Sequence, residues 1–176
     1  SANLRIRKID RSTGIITSLS SPTGNAYSGV AFDSSGRLYV AVYDTDTVLR
    51  QNVSGGSTFS AISSSITLKG PRDIVVDSSN NVYVMSGYYD ANITSNSRSR
   101  IIKVASGGTA TVFVGTDGTP GIGGDGGSPT SATAKMDLGI DVVDVNVSPS
   151  TTENLVQNCG IALSATGELI FADSRN

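Results

Sequence analysis

The sequence predicts an all-β protein, and three observations support this prediction. Ser, Thr and Gly account for 27, 17 and 20 of the 176 residues, a mixture that favours turns and exposed strands over helices. The apolar runs are short, rich in β-branched and aromatic residues, and bounded by turn residues. The same pair of runs also recurs along the chain, which predicts a repeated β-sheet unit.

The composition excludes several function classes. The chain has no His, so it cannot itself supply a Ser-His-Asp triad, a His-ligated zinc or a His general base. A single Cys excludes an internal disulfide. The formal net charge is −2. A chain with this charge lacks the broad positive field that attracts nucleic acid, so we expect no nucleic-acid binding. No apolar run approaches the length of a membrane span, so we expect no membrane insertion.

Three segments share one pattern: an apolar run, a four-residue turn, and a second apolar run. The turns read Asp-Ser-Ser-Gly, Asp-Ser-Ser-Asn and Ser-Ala-Thr-Gly. The copies are 29–40, 73–84 and 160–171. Their turns begin at Asp33, Asp77 and Ser164, which are 44 and 87 residues apart. The second step is nearly two periods, and the total length of 176 residues equals four periods of 44. Each copy reads as a β-hairpin.

Two more strands are predicted to follow a hairpin. One pair of such strands is predicted at 4–9 and 15–17, and another at 100–104 and 111–114. A turn lies between the two strands of each pair. Four strands in about 44 residues is the arithmetic of a β-propeller blade. The sequence therefore predicts blades of four antiparallel strands, with Tyr39 and Tyr83 at one repeat position in the blade core.

These residues resemble the NHL-repeat β-propeller family. The family pattern reads P-x-G-I-A-V-D-x-x-G-x-[IL]-Y-V-A-D, then N-x-R-I-x-K-[IV] and G-x-I-x-T. Matching stretches are 3–17, 28–41, 71–84, 99–104 and 158–176. The run Gly121-Ile-Gly-Gly-Asp-Gly-Gly127 with Ser128-Pro-Thr-Ser-Ala132 is similar to the G-D-G-G loop between blades in one subgroup. The resemblance implies a fold but does not fix an activity.

The resemblance implies one NHL-like propeller unit over residues 1–176, whole or a fragment, with an insertion between blades at 133–158 and half-blades at both ends. Phe171–Asn176 stops midway through a blade, and Ala2–Ile6 begins where that half-blade would resume. Three interpretations follow. The N-terminal strands close a ring with the C-terminal ones, the chain is a piece of a longer propeller, or the half-blade of one copy is completed by the next copy.

Few residues are candidates for chemistry. Three carboxylates are weak candidates for binding Ca²⁺: Asp44 and Asp46, which are two residues apart, and Asp125 in the Gly-rich loop. The alternative is that they are solvated carboxylates of loops. Gly121-x-Gly123-x-x-Gly126 matches a dinucleotide fingerprint formally, but no strand precedes it and no helix start follows. We therefore expect an inter-blade loop there, no catalytic residue, and no cofactor other than possible Ca²⁺.

Three N-glycosylation sequons point to the outside of the cell: Asn52-Val-Ser54, Asn92-Ile-Thr94 and Asn146-Val-Ser148. We therefore expect a non-enzymatic extracellular or cell-surface glycoprotein module. It would be a propeller scaffold for protein–protein interaction or self-assembly through its terminal half-blades, and a candidate filament subunit. The alternative is a Ca²⁺-dependent lactonase-like hydrolase, an activity found among relatives of this architecture.

Overall fold

A computed structural model of the chain describes residues 5–19, 26–62, 66, 68–87, 100–115, 123–133 and 160–172. In this part of the chain the structure is all-β apart from one 3₁₀ turn, Pro129–Ser131. The strands are β1 (Arg7–Ile9), β2 (Ile16–Ser18), β3 (Tyr27–Phe32), β4 (Leu38–Val42), β5 (Thr47–Gln51), β6 (Phe59–Ala61), β7 (Pro71–Val76), β8 (Val82–Ser86), β9 (Arg100–Val104), β10 (Ala110–Val114), β11 (Ile161–Leu163) and β12 (Leu169–Phe171).

The strands form two complete blades. The first is an antiparallel sheet in the order β3-β4-β5-β6, and the second has the order β7-β8-β9-β10. The strands β1 and β2 form a two-stranded hairpin, as do β11 and β12. The predicted four-stranded antiparallel blade, with half-blades in the terminal segments, is therefore confirmed.

The hairpin turns are built as their sequence predicts. Oδ1 of Asp33 accepts hydrogen bonds from the backbone N–H groups of Ser35 and Arg37, each at 2.9 Å. Gly36 then adopts a φ of 74°, and Asn80 at the same position of the second blade a φ of 61°, a left-handed region that favours glycine and that asparagine tolerates. Asp77 makes the same pair of bonds in the second blade, to the N–H groups of Ser79 and Asn81. Each carboxylate thus replaces backbone partners that the tight turn cannot supply.

The core lies between the two blades. The central strands β4 and β8 are buried at every position, and Tyr39, Ala41 and Val48 of the first blade join a cluster with Ile74 and its neighbours in the second. Tyr39 and Tyr83 are 2% and 8% exposed, which confirms that their shared repeat position belongs to the blade core. Each tyrosine hydroxyl lies 3.4 Å from the turn carboxylate of its own blade.

The third hairpin lies directly beside the second blade, although their turns are nearly two repeat periods apart in the sequence. Ile161 of β11 donates its backbone N–H to Oδ2 of Asp73 on β7, at 3.1 Å. Its side chain packs with Tyr83, Met85 and Ile101 of the second blade. The offset of 87 residues is therefore one blade position with a long connection. Loop closure costs only a little more when a loop lengthens, so apolar packing rather than sequence spacing decides which sheets are neighbours.

The hairpin β1–β2 packs on the opposite end of the pair of blades. Ile6 is buried against Leu38, Val40 and Val42, on the face of the first blade that points away from the second. Within the described residues, β1 pairs only with β2, and β12 pairs only with β11. Pairing of β1 with β12, as ring closure would require, is therefore not seen among the described residues. The predicted insertion lies outside the described residues except for Thr133.

Candidate protein-binding face

One face of the first blade leaves large apolar side chains in solvent. Val30 and Phe32 of β3 are 50% and 58% exposed, and they alternate with the half-buried Gly29 and Ala31. Because successive side chains of a strand point to opposite sides, Val30 and Phe32 lie together on one side of the sheet. We call the side of β3 that carries Val30 and Phe32 the open face.

The internal repeat explains why this face is open. Val30 and Phe32 occupy the positions that Ile74 and Val76 occupy in the second blade. Ile74 is only 2% exposed, because it and Val76 pack against Tyr39 and Ala41 of the first blade. On the open side of the first blade, the hairpin β1–β2 takes only part of the place that the first blade takes beside the second. This hairpin covers the outer strands of the first blade and leaves β3 uncovered.

Other exposed apolar residues fit the same pattern. Ile170 of β12 is 59% exposed, yet its repeat equivalents Tyr39 and Tyr83 are buried between sheets. Ile9 and Ile16, which are paired across the hairpin β1–β2, are also exposed. Their equivalents in the second blade, Val104 and Ala110, are buried. Among the described residues, no further sheet covers these side chains, although the complete blades bury the equivalent apolar positions. The open face could not be predicted from the sequence, because alignment of the repeats shows that these positions are apolar but not whether a sheet covers them.

The Ca²⁺ candidates are spread over the fold and are engaged to different degrees. Oδ1 of Asp44 accepts the backbone N–H of Ala26 at 3.2 Å. Asp46 receives the Lys69 ammonium and the Gly70 backbone N–H, each at 2.8 Å, and so links the two blades. Asp125 is exposed in the Gly-rich loop. Within the described residues, no group of three or more Asp, Glu, Cys or His side chains is placed to hold a metal.

The carboxylates with shifted pKa values are those of the turns. Burial acts to raise the pKa of Asp33, but hydrogen bonds from the backbone and guanidinium of Arg37 and from Ser35 outweigh it and lower the pKa. The pKa of Asp77 is lowered in the same balance, mainly by Asn81. In the exposed turn of β1–β2, hydrogen bonds led by the Ser12 hydroxyl lower the pKa of Asp10 to about 2. These carboxylates stay ionised and act on the turns themselves.

The Gly-rich loop closes on itself. Gly123 and Thr133 form an isolated antiparallel bridge, and the helical turn between them, Pro129–Ser131, is three residues long. The loop borders a cavity of about 470 Å³ that Phe113, Leu169 and Phe171 line from the two adjoining sheets. Gly121 lies outside the described residues, and residues 123–133 contain no helix N-terminus of the kind that holds a pyrophosphate.

One predicted glycosylation site can be located. Asn52 lies in the exposed connection between β5 and β6, where its backbone N–H donates to Thr58 O and its side-chain amide lies 3.2 Å from Thr58 Oγ1. Ser54 donates its hydroxyl to Gly36 O at 2.9 Å. The other two sequons, at Asn92 and Asn146, lie outside the described residues.

The basic side chains on and beside β1 and β9 lie partly in solvent and partly in the core. Arg5, Arg7, Lys8 and Arg11 are exposed on or beside the hairpin β1–β2. Arg100 is buried, and the Lys103 ammonium lies 5.5 Å from the centre of the Tyr83 ring. The basic side chains of β9 thus take part in the packing of the second blade. In the described part of the chain, no helix is long and apolar enough to cross a membrane.

No protein-family model matches the chain, and no curated protein matches it. Among solved structures it is similar to a protein proposed to be a gluconolactonase, at 14% identity and a TM-score of 0.50, over 66% of this chain and 43% of that one. It is also similar to a chain of a nidogen/laminin complex, at 18% identity, a TM-score of 0.46, and 61% and 39% coverage.

A third similar structure is a catalytically inactive virginiamycin B lyase from Staphylococcus aureus with quinupristin, at 16% identity and a TM-score of 0.44, over 98% of this chain and 49% of that one. The chain thus spans less than half the length of each of these proteins. The chain is made of β-propeller blades. At these identities the similarity concerns the fold alone.

Proposed function

We propose that this chain is a non-enzymatic protein-binding module of the NHL-repeat type, a β-propeller scaffold that works outside the cell or on its surface. The observation that carries the proposal is the open face. Val30 and Phe32 are half exposed there, at positions that the second blade buries against another sheet. Burying a side chain of this kind contributes about 1.5–3 kcal/mol to the free energy of association. A partner that covers both Val30 and Phe32 therefore gains binding free energy from each.

The shape of the open face favours a protein partner. It is one side of a β-strand within a sheet, whereas small-molecule sites are concave pockets with a few convergent polar groups. The equivalent side of β7 is covered by strands of the first blade. A second β-sheet is therefore the ligand that this repeat is built to accept, and apolar side chains at the centre of such a contact supply most of its free energy.

The use of the carboxylates supports a scaffold as well. Asp33 and Asp77 hold their own turns, and Asp46 holds the second blade to the first through Lys69 and Gly70. These side chains stabilise the blades that present the open face. The NHL assignment and the extracellular location rest on the sequence motifs and the sequons, of which the Asn52 sequon lies in an exposed turn.

Analysis of the protein from its source cells tests this proposal. We expect peptide mass mapping to find an N-glycan on Asn52, and we expect the glycan to be lost in both Asn52→Gln and Ser54→Ala, since either change removes the sequon. Ser57→Ala, in the same exposed connection but outside the sequon, is the matched control and is expected to keep the glycan.

Two results would contradict the proposal. An unmodified Asn52 in the native protein would remove the support for an extracellular location. Ca²⁺-dependent hydrolysis of lactones by the purified chain, abolished in Asp46→Asn, would establish the hydrolase alternative in place of a binding module.

A further inference from the structure

We propose that folding of the first blade closes its own glycosylation site, so that Asn52 accepts a glycan only while this part of the chain is unfolded. The inference rests on the proposed function, because it concerns the glycan expected of an extracellular chain. It adds an order of events, in which the modification precedes folding. We call residues 52–58, which connect β5 to β6, the sequon loop.

The chemistry of glycan transfer defines what the sequon must offer. The side-chain nitrogen of Asn52 attacks the anomeric carbon of an oligosaccharide carried on a lipid diphosphate. A carbon–nitrogen bond forms, the bond from that carbon to the diphosphate oxygen breaks, and the nitrogen loses one proton. The sequon also requires a hydroxyl two residues after the asparagine. The transferase must therefore reach both Asn52 Nδ2 and Ser54 Oγ.

Both groups already have partners in the folded blade. Ser54 donates its hydroxyl to Gly36 O at 2.9 Å, and Asn52 Nδ2 donates to Thr58 Oγ1 at 3.2 Å. Gly36 belongs to the turn between β3 and β4, so the Ser54 hydrogen bond joins the sequon loop to a second turn of the blade. A transferase that binds the Ser54 hydroxyl must first break this bond.

The backbone of the sequon loop is also held in place. The backbone N–H of Asn52 donates to Thr58 O at 3.0 Å, so the two ends of the loop pair with each other. Between them, the N–H of Gly56 donates to Val53 O at 3.0 Å, and Gly55 adopts a φ of 71°. The chain thus reverses in a tight turn that includes part of the sequon. An enzyme that closes around Asn52 must separate it from Thr58.

A buried side chain ties the sequon loop to the core. Gln51 is 5% exposed, its Oε1 accepts the backbone N–H of Leu38 at 2.9 Å, and its Nε2 donates to Gly56 O at 2.8 Å. Opening the loop at Gly56 therefore leaves a donor of a buried amide without its acceptor, which costs more than losing a hydrogen bond in water. Release of the sequon is thus coupled to loosening of the first blade.

Hydrogen bonding, and not burial, is what closes the site. Asn52 and Ser54 are both exposed, so their side chains are in contact with solvent in the folded chain. Transfer to the folded chain requires a minor open state in which the hydrogen bonds of the loop are broken. We expect this requirement to slow transfer by at least about tenfold relative to an unfolded chain.

Glycan transfer to the purified, unglycosylated chain tests this order of events. The acceptors are the folded chain and the full-length variant Val40→Asp. This variant places a charge at a residue that is 0% exposed and is expected to unfold the first blade. With a transferase and a lipid-diphosphate oligosaccharide, peptide mass mapping at Asn52 should show at least about tenfold faster transfer to Val40→Asp. The matched control, Ser54→Ala in the Val40→Asp background, should accept no glycan at Asn52.

A second variant tests the proposal in a folded chain. Gln51→Ala removes the side-chain hydrogen bonds to Leu38 and Gly56 and leaves the sequon unchanged. We expect two rates to rise by the same factor: hydrogen exchange at the Asn52 backbone N–H, and glycan transfer to the Asn52 side chain. The reason is that both reactions proceed from the same open state of the loop.

Three results would overturn the proposal: equal transfer to the folded chain and to Val40→Asp, no transfer to either, or faster hydrogen exchange in Gln51→Ala without faster transfer. The outcome is distinguishable from that of the proposed function, since the transfer is measured in vitro. An unmodified Asn52 in source cells, together with faster transfer to Val40→Asp than to the folded chain, would count against the extracellular location and support the closure of the site by folding.

Discussion

Replacing Asp33 with alanine is expected to lower the free energy of unfolding by about 3 kcal/mol, because the turn then loses a buried charged acceptor of three hydrogen bonds. The Asp33 side chain is fully buried, and its carboxylate accepts the backbone N–H groups of Ser35 and Arg37 and the Nε–H of the Arg37 guanidinium at 2.8 Å. Chemical denaturation followed by circular dichroism measures the loss.

The matched control is Asp10→Ala, which removes a similar set of local hydrogen bonds from a turn that is fully exposed. We expect a clearly smaller loss there, since water replaces the carboxylate. Equal losses in the two variants would show that burial of the turn in the blade does not matter, which would contradict the role given to Asp33.

The same hydrogen bonds make stability depend on acid pH. The pKa values of Asp33 and Asp77 are lowered in the folded chain from an ordinary value of 3.8. Their contribution is therefore complete above pH 3.8 and is lost as the pH falls through the lower folded values. In Asp33→Ala this part of the acid sensitivity should be reduced.

Gly29→Val is expected to destabilise the fold by about 3 kcal/mol, through overpacking where the two blades come closest. A Cβ atom at Gly29 would lie 2.9 Å from the Asp73 Cα atom and 3.2 Å from the Arg72 carbonyl oxygen. Both are backbone atoms of β7, so they cannot move without moving the strand. Thermal unfolding monitored by circular dichroism measures the effect.

Gly107→Ala is the control for Gly29→Val. The further variant Gly29→Ala allows the same change, from glycine to alanine, to be compared at the two positions. No atom lies within 4 Å of a Cβ atom built at Gly107, which lies in a turn of the second blade. We expect Gly29→Ala to cost more than Gly107→Ala. A Gly29→Val chain as stable as the unchanged one would mean that β3 and β7 are not packed as described.

The local structure could be predicted from the sequence because its causes are local. The turns at Asp33 and Asp77 follow from side chains that bond to the backbone two and four residues on. The alternation of apolar residues likewise indicated the strands, and Tyr39 and Tyr83 were placed in the core by their shared repeat position.

The neighbour relations could not be predicted in the same way. Ile161 lies beside Asp73 although 88 residues separate them, and spacing alone made this step look like two blades. The exposure of Val30 and Phe32 depends on which sheet is absent from one side of the first blade. A sequence pattern reports which side chains are apolar, but only the arrangement of the sheets reports whether they are covered.

The mass of the particle in solution tests most directly whether the open face binds protein, because the expected self-association would bury it. Sedimentation equilibrium of the unchanged chain is expected to give an average mass that rises with concentration above 18.0 kDa. Phe32→Ser should weaken this association, whereas Val53→Ser, an exposed apolar residue away from the open face, should not. A constant mass of 18.0 kDa at every concentration, or equal effects of the two substitutions, would contradict self-association through the open face.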